Sequence, residues 1–255
     1  MRFMSLVRFP IVVGLTAACF CVGDAGSAEP PRTRPVAALG DTGLAAAYSA
    51  DRGIASHPSV IFAEDFESTD YQRRWDEARD KNRDVLSLVR LDGDKDPFGR
   101  SLKVRAVLGR NTGGGLTKWF QSADTLYVRF YSYWHEMTAS PDGKYWGNSF
   151  KPEAQSNIRK DRWICAEFML KHNTPGKADG EQAIWIDGKS MGHWGGINWR
   201  KTPGLKVNAL TLESYVTDHW TRNPTNIVYF DNLVIAREYI GPMKQRDEVK
   251  EPVRK

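Results

Sequence analysis

Between residues 126 and 135, every second side chain can hold charge or move a proton: Tyr127, Arg129, Tyr131, Tyr133 and His135. The positions between them, Leu126, Val128, Phe130, Ser132 and Trp134, are mostly apolar. Period-two alternation predicts a strand with one face for a core and one for chemistry. The pattern returns in three other places. Glu167 and Lys171 alternate with Phe168 and Leu170, Trp185 and Asp187 with Ile184 and Ile186, and Glu213 and Tyr215 with Leu212 and Val216. Lining one concave sheet, these residues offer Arg129 and Lys171 as cations for an anionic ligand. His135, Tyr133 and Tyr215 can carry protons, and Tyr131, Tyr133 and Trp185 can stack on sugar rings. Glu167 with Glu213 or Asp187 is a carboxylate pair of the kind that hydrolyses glycosides. Met169 and Lys171 follow Glu167 on its own face, so such a pair has to bridge strands, and it ranks lower. The plain alternative is a solvated outer face rich in strand-favouring tyrosines.

The elements that would position these groups are strands and tight turns. Residues 161–188 read as an antiparallel hairpin: a strand to Lys171, turns at Pro175-Gly176 and Asp179-Gly180, then a second strand. Further strands are predicted at 60–62, 85–91, 101–108, 210–216 and 226–236. Two packed antiparallel sheets should enclose Phe130, Ile164, Phe168, Leu170, Ile184, Ile186 and Leu212. The Ala-rich run 36–48 suggests a short helix or packed arm. Tyr71 and Trp75, at helical spacing, suggest a surface helix across 71–84. Residues 139–160 and 191–203 read as irregular rims. Asn111-Thr112-Gly113-Gly114-Gly115 is a glycine-rich turn. It is followed by Leu116-Thr117-Lys118 instead of a helix opening on Lys-Ser/Thr, so it is no nucleotide cradle.

Composition narrows the class. Arg2 and Arg8, an apolar stretch from Phe9 to Val22, and Gly26-Ser27-Ala28 together read as a signal peptide, implying a secreted or periplasmic protein with no membrane span after cleavage. Thr16 stands three residues before Cys19, where a lipoprotein signal has a large aliphatic. The organisation expected is a signal peptide over 1–28, a leader or arm over 29–59, one sandwich over 60–242 and a charged tail over 243–255. Of three cysteines, two lie in the signal, so Cys165 has no internal partner for a disulfide and no zinc spacing exists. A net charge of +5 without a Lys/Arg run argues against nucleic acid as partner. Nine Trp and nine Tyr, all beyond residue 28, suit sugar rings as well as a core. The acidic loop 92–97 fails the calcium-loop pattern, with Pro97 where glycine belongs and Lys103 where the bidentate glutamate belongs. No cofactor is called for, and a structural calcium at another sandwich loop is left open. A monomer is expected.

Several segments together resemble the jelly-roll polysaccharide lyases, the alginate and glucuronan lyases of the concanavalin A-like sandwich class. They are Asp65-Phe66-Glu67, Asn173-Thr174-Pro175-Gly176, Trp185-Ile186-Asp187-Gly188 and Tyr229-Phe230-Asp231-Asn232-Leu233. The resemblance spans residues 60–241 and is architectural. The Gly-Lys-Leu-Pro-Gly segment that brings a basic residue into the cleft of such alginate lyases has no counterpart, Lys151-Pro152 being the nearest approach. The resemblance implies an all-β jelly roll acting on an acidic, uronic acid polysaccharide by β-elimination. In that chemistry a cation neutralises the carboxylate, a base takes the adjacent C–H proton, and an acid protonates the departing oxygen. Arg129 or Lys171 would serve first, His135 or a tyrosinate second, Tyr215 or Tyr133 third. Arg129, His135 and Tyr215 are the favoured trio, with Tyr131, Tyr133, Glu167, Lys171, Trp185 and Glu213 binding substrate. A carbohydrate-binding sandwich without catalysis is the rival reading.

Overall fold

A computed structural model describes Arg32–Thr33 and residues 43–92, 97–136, 161–216 and 224–244, the side chains of 32–33 and 134–136 excepted. The segments expected as signal peptide (1–28) and irregular rim (139–160), and the residues after 244, lie outside the described residues. Among the described residues twelve strands follow in chain order: β1 (Arg32–Thr33), β2 (Val60–Glu64), β3 (Glu77–Arg79), β4 (Leu86–Arg90), β5 (Arg100–Val107) and β6 (Gly113–Ala123). Then come β7 (Thr125–Glu136), β8 (Trp163–Lys171), β9 (Gly180–Ile186), β10 (Lys189–Ile197), β11 (Val207–Tyr215) and β12 (Thr225–Ala236). The helices among the described residues are short 3-10 turns, and none is long and apolar enough to cross a membrane.

All strand pairings are antiparallel and fall into two sheets. The large one runs β1-β10-β9-β8-β7-β12-β5-β4, with β2 also on β12, and the small one runs β11-β6-β3. Alternation decides what lies between them. Val128, Phe130, Ile164, Leu170, Ile184, Ile186, Val228 and Phe230 of the large sheet meet Leu116, Leu210 and Leu212 of the small sheet in one apolar core. Each fully buried side chain of this kind contributes about 2 kcal/mol relative to exposure. All seven core residues expected from the sequence lie in that core, Phe168 at its partly buried edge. The architecture is the expected two-sheet antiparallel β-sandwich.

Two local expectations are corrected. The run 71–84 forms no α-helix. Tyr71–Arg74 and Lys81–Arg83 are 3-10 turns, with the extended strand β3 between them. Trp75 packs edge-on to Phe62 at 5.2 Å, and the Asp76 N–H donates to the Thr117 carbonyl at 3.0 Å, so pairing with β6 outweighs helical spacing. Of the expected rim 191–203, only 198–203 is irregular, and 191–197 belongs to strand β10. Its glycines admit a folded-back Trp194, whose ring would lie 2.6 Å from any Cβ at Gly192. Between β9 and β10 the turn Asp187-Gly188, with φ of 49° and 75°, is the primed two-residue reversal that favours Asp-Gly.

Candidate functional site

The face of the large sheet that the sequence marks for chemistry is covered by two segments that flank the sandwich strands in sequence. Residues 43–57 and 237–244 lie together across it. Leu44 N–H donates to the Tyr239 carbonyl at 3.1 Å, Ala45 N–H to Ile240 at 2.8 Å, and Ala50 N–H to Lys244 at 2.9 Å. Arg129 is fully buried beneath this cover in an ion pair with Asp51. The Glu167 carboxylate accepts the backbone N–H of Ile240 and of Gly241, each at 2.8 Å. Burial pushes its pKa up to about 7, against the opposing pull of those two donors and of Arg129. The Tyr131 hydroxyl accepts the Met243 N–H at 2.8 Å, and burial raises its pKa.

The other candidates on this face are also committed to packing. Trp185 is 2% exposed, its ring 5.1 Å from that of Tyr239. Tyr133 is buried between Trp163 and Tyr229, with ring centroids 5.7 Å away on either side. Asp187 accepts the Cys165 N–H at 2.8 Å and pairs with Arg162 at 2.6 Å. Lys171 remains half exposed, paired with Glu181 at 3.0 Å, and Glu181 also meets His193 at 2.8 Å. The wet aromatic floor expected here is therefore a dry interface with the arm and tail. Alternation told inside from outside, but it carried no sign that the chain would cover its own outer face.

His135 belongs to β7, but its side chain is outside the described residues. The pairing of β7 with β12 joins Ile227 to Glu136 and Val228 to Trp134, so a bulge falls at His135 itself.

The small sheet presents the opposite outer face. Its register sets Tyr215 beside Gly113, Glu213 and Arg79 on either side of Gly115, and Glu77 and Thr211 on either side of Thr117. Glu213 and Tyr215 do share a face, away from the core residue Leu212, as alternation predicts. Tyr215 and Arg129 consequently lie on opposite outer sides of the sandwich, and the expected trio does not converge. Glu213 and Glu167 are separated in the same way, which removes them as a hydrolytic pair.

Two glycines shape this face. A Cβ at Gly115 would fall 2.6 Å from the Glu213 Cβ, and Gly113, at φ 109°, would set one 2.9 Å from the Tyr215 Cβ. With neither present, β6 lies low between its neighbours, and Arg79 reaches across this trough over the buried Gly115 to form an ion pair with Glu213. The Glu213 side chain is 10% exposed and that of Arg79 53%. Thr117 and Thr211 join hydroxyls at 3.2 Å on the trough floor, and the Trp119 indole N–H donates to Glu77 at 3.1 Å. Tyr215, 38% exposed, is the one large hydrophobic side chain standing out to solvent among the described residues. Burial of its hydroxyl end and the Glu213 charge raise its pKa, so the phenol is held protonated at neutral pH. The trough offers an aromatic edge, a cation, a carboxylate and a proton donor. No group of three or more metal-ligating side chains converges among the described residues.

The same arrangement of sheets occurs in solved structures. The PL-14 alginate lyase from Aplysia kurodai is similar at a TM-score of 0.52 and 10% identity, over 70% of this chain and 99% of that one. The alginate lyase Aly36B is similar at 0.51 and 13% identity, over 73% of this chain and 95% of that one. This chain has the fold of alginate lyases. An endo-β-1,4-glucuronan lyase from Trichoderma reesei is similar at a TM-score of 0.46 and 11% identity, covering 70% of this chain and 95% of that one. No family model and no curated protein sequence matches the chain. At these identities the likeness to the lyases is one of fold. The missing signal in the sequence was Arg79. It sits in a run that reads as helical, and only the β3–β6–β11 register brings it to Glu213.

Proposed function

We propose that the chain is a secreted or periplasmic carbohydrate-active protein that handles a uronic acid polysaccharide, cleaving it by β-elimination along the small-sheet trough. The observation that carries this reading is Tyr215, exposed beside Gly113 with the Arg79–Glu213 pair next to it, in a chain with the fold of alginate lyases. A sugar ring can lie on the tyrosine while a hexuronate carboxylate meets Arg79. Neutralising that carboxylate acidifies the C–H beside it. Loss of the proton then forms the double bond as the glycosidic C–O bond breaks, and the departing oxygen takes a proton. Tyr215, kept protonated by its surroundings, suits the last step and does not suit the base. The C–H proton passes to a solvent base, because His135 stands on β7 of the large sheet, across the sandwich from Tyr215.

The test is incubation with alginate, glucuronan and other uronate polymers, following the ultraviolet absorbance of the unsaturated product. Tyr215→Phe should keep polymer binding and lose turnover by roughly 10²–10⁴-fold, the usual worth of a positioned acid or base. His135→Gln should keep activity, because β7 belongs to the other sheet. Full activity in Tyr215→Phe removes its proton-transfer role. Binding without any product would leave a carbohydrate-binding sandwich without catalysis.

A further inference from the structure

On the arm side of the large sheet, away from the small sheet and Tyr215, lies a cavity of about 320 Å³. Its origin is a seam in the sheet. Strand β12 pairs with β5 as far as Phe230 and with β2 from Leu233 onward, and its register with β7 shifts over the same stretch. Asn232, at φ 45°, stands in the notch where the neighbour changes. The arm closes the notch from the other side. Ala50 and Asp51, both left-handed at φ 51° and 55°, start a turn in which Asp51 is committed to Arg129 while Arg52 and Ala55 stay exposed at the mouth.

The chemistry of the walls is mixed and balanced. Ala63 and Val234, partners across β2 and β12, and Ala55 of the arm give a small apolar surface. Arg74 donates through one terminal nitrogen to Glu64 at 3.2 Å and through the other to the Ala63 carbonyl at 2.6 Å. Its side chain is nonetheless 43% exposed, and a guanidinium has five N–H donors. Asp51 is compensated by Arg129 and Glu64 by Arg74, which leaves exposed Asp65 and Arg52, one charge of each sign. Such a site has no excess charge for an ion. It has fixed donors and acceptors round an apolar patch, which suits hydroxyl groups, since each can donate and accept. The volume is at the lower end of small-molecule pockets, room for a single ring. We infer that this cavity is a second glycan site, taking one neutral hexose unit, with Arg52, Arg74, Asp65 and Asn232 bonding its hydroxyls. It stands independently of the reading of the small sheet.

The test is titration of the ¹⁵N-labelled protein with methyl glycosides of glucose, mannose and galactose, following the backbone amide signals of Gly53 and Asn232, with calorimetry for affinity. At least one hexoside should shift both signals saturably. Ala55→Trp fills the cavity from an exposed position and should weaken that binding by about 10-fold or more. Arg52→Ala and Asp65→Ala should each weaken it by about 10-fold, the worth of one hydrogen bond to a charged group. All three positions are exposed, so melting temperatures should stay near wild type. Tyr215→Phe should leave hexoside binding unchanged, which keeps this site separate from any failure of uronate cleavage. Absence of a shift with all three hexosides, or shifts that persist in Ala55→Trp, would overturn the inference. Tighter binding of putrescine or acetate would overturn it too, by showing uncompensated charge, and glycerol binding as tightly as a hexoside would show that no ring is recognised.

Discussion

The two outer faces of this sandwich start from the same strand grammar and end in opposite states. On the large sheet, Arg129, Tyr131 and Glu167 alternate out of the core and are then consumed by the chain's own arm and tail, through Asp51, Met243, Ile240 and Gly241. On the small sheet, Glu213 and Tyr215 alternate out of the core in the same way, but there Arg79 spans the glycines of the middle strand, and Tyr215 and half of the Arg79 side chain reach solvent. A polar face is thus a structural joint in one place and a candidate site in the other. What separates them is whether backbone N–H groups have taken the acceptors. At Glu167 and Tyr131 that commitment is made, while Arg129 Nε and Nη1 and Asp51 Oδ1 are buried without a hydrogen-bond partner.

Variants on the sealed face should therefore act on stability, and Arg129 should show the largest effect. Replacing Arg129 by Leu strands Asp51 in a buried setting, and breaking one partner of a buried pair costs about 3–5 kcal/mol. Denaturant unfolding should show that loss in Arg129→Leu. Asp51→Asn/Arg129→Leu should recover a good part of it, because no unpaired charge remains. Uronate binding by the folded fraction should match wild type. A selective loss of uronate binding without loss of stability would reverse the assignment of the two faces.

How much of this was legible beforehand differs between the faces for the same reason. Alternation in Leu126–Tyr133, Ile164–Leu170 and Leu210–Leu212 fixed which residues enter the core, because a one-residue slip would reverse every side chain. The same alternation could not say which outward face stays wet. That depends on residues far away in sequence: Asp51 reaches Arg129 across 78 positions and Gly241 reaches Glu167 across 74. Tyr215 was readable because its site is built from one sheet. Arg79 was not, since the charged run around it conceals a three-residue strand whose only reason to extend is its pairing with β6.

A pH measurement sharpens the comparison at a single carboxyl. Glu167 has a folded pKa of about 7 against an ordinary 4.5, so the folded state holds its proton more tightly than the unfolded chain. Its contribution is full below pH 4.5 and is lost as pH rises through 7. Over that window wild-type stability should fall relative to Glu167→Gln by about 3 kcal/mol, at 1.36 kcal/mol per unit. His172 runs the other way. Burial, first, and the nearby Arg200 charge lower its pKa to about 4 from 6.5, so its contribution grows as pH rises through that interval. The two partly cancel in the wild-type curve, and the difference from Glu167→Gln isolates the carboxyl. A difference flat in pH would mean that the clasp of Ile240 and Gly241 keeps Glu167 ionised in spite of its burial.

The smallest expected effect is at Cys165, and it probes whether the cover over the large sheet stays shut. Cys165 is 4% exposed, beside Tyr131 and Arg129, and its backbone N–H is held by Asp187. Burial pushes the thiol pKa up to about 12, so the nucleophilic thiolate is scarce at neutral pH. In the chain without its first 28 residues it is the sole cysteine, so reductant should change neither melting temperature nor activity. Alkylation of the native protein should be slow and should accelerate in Arg129→Leu, where the Asp51 anchor of the arm is gone. Rapid labelling of wild type would show that arm and tail open readily. The outer face of the large sheet would then be available to ligands after all, and the contrast with the trough would weaken. Slow labelling in wild type with fast labelling in Arg129→Leu ties the seal to the buried ion pair, because alkylation requires reagent to reach a sulfur that the folded cover excludes.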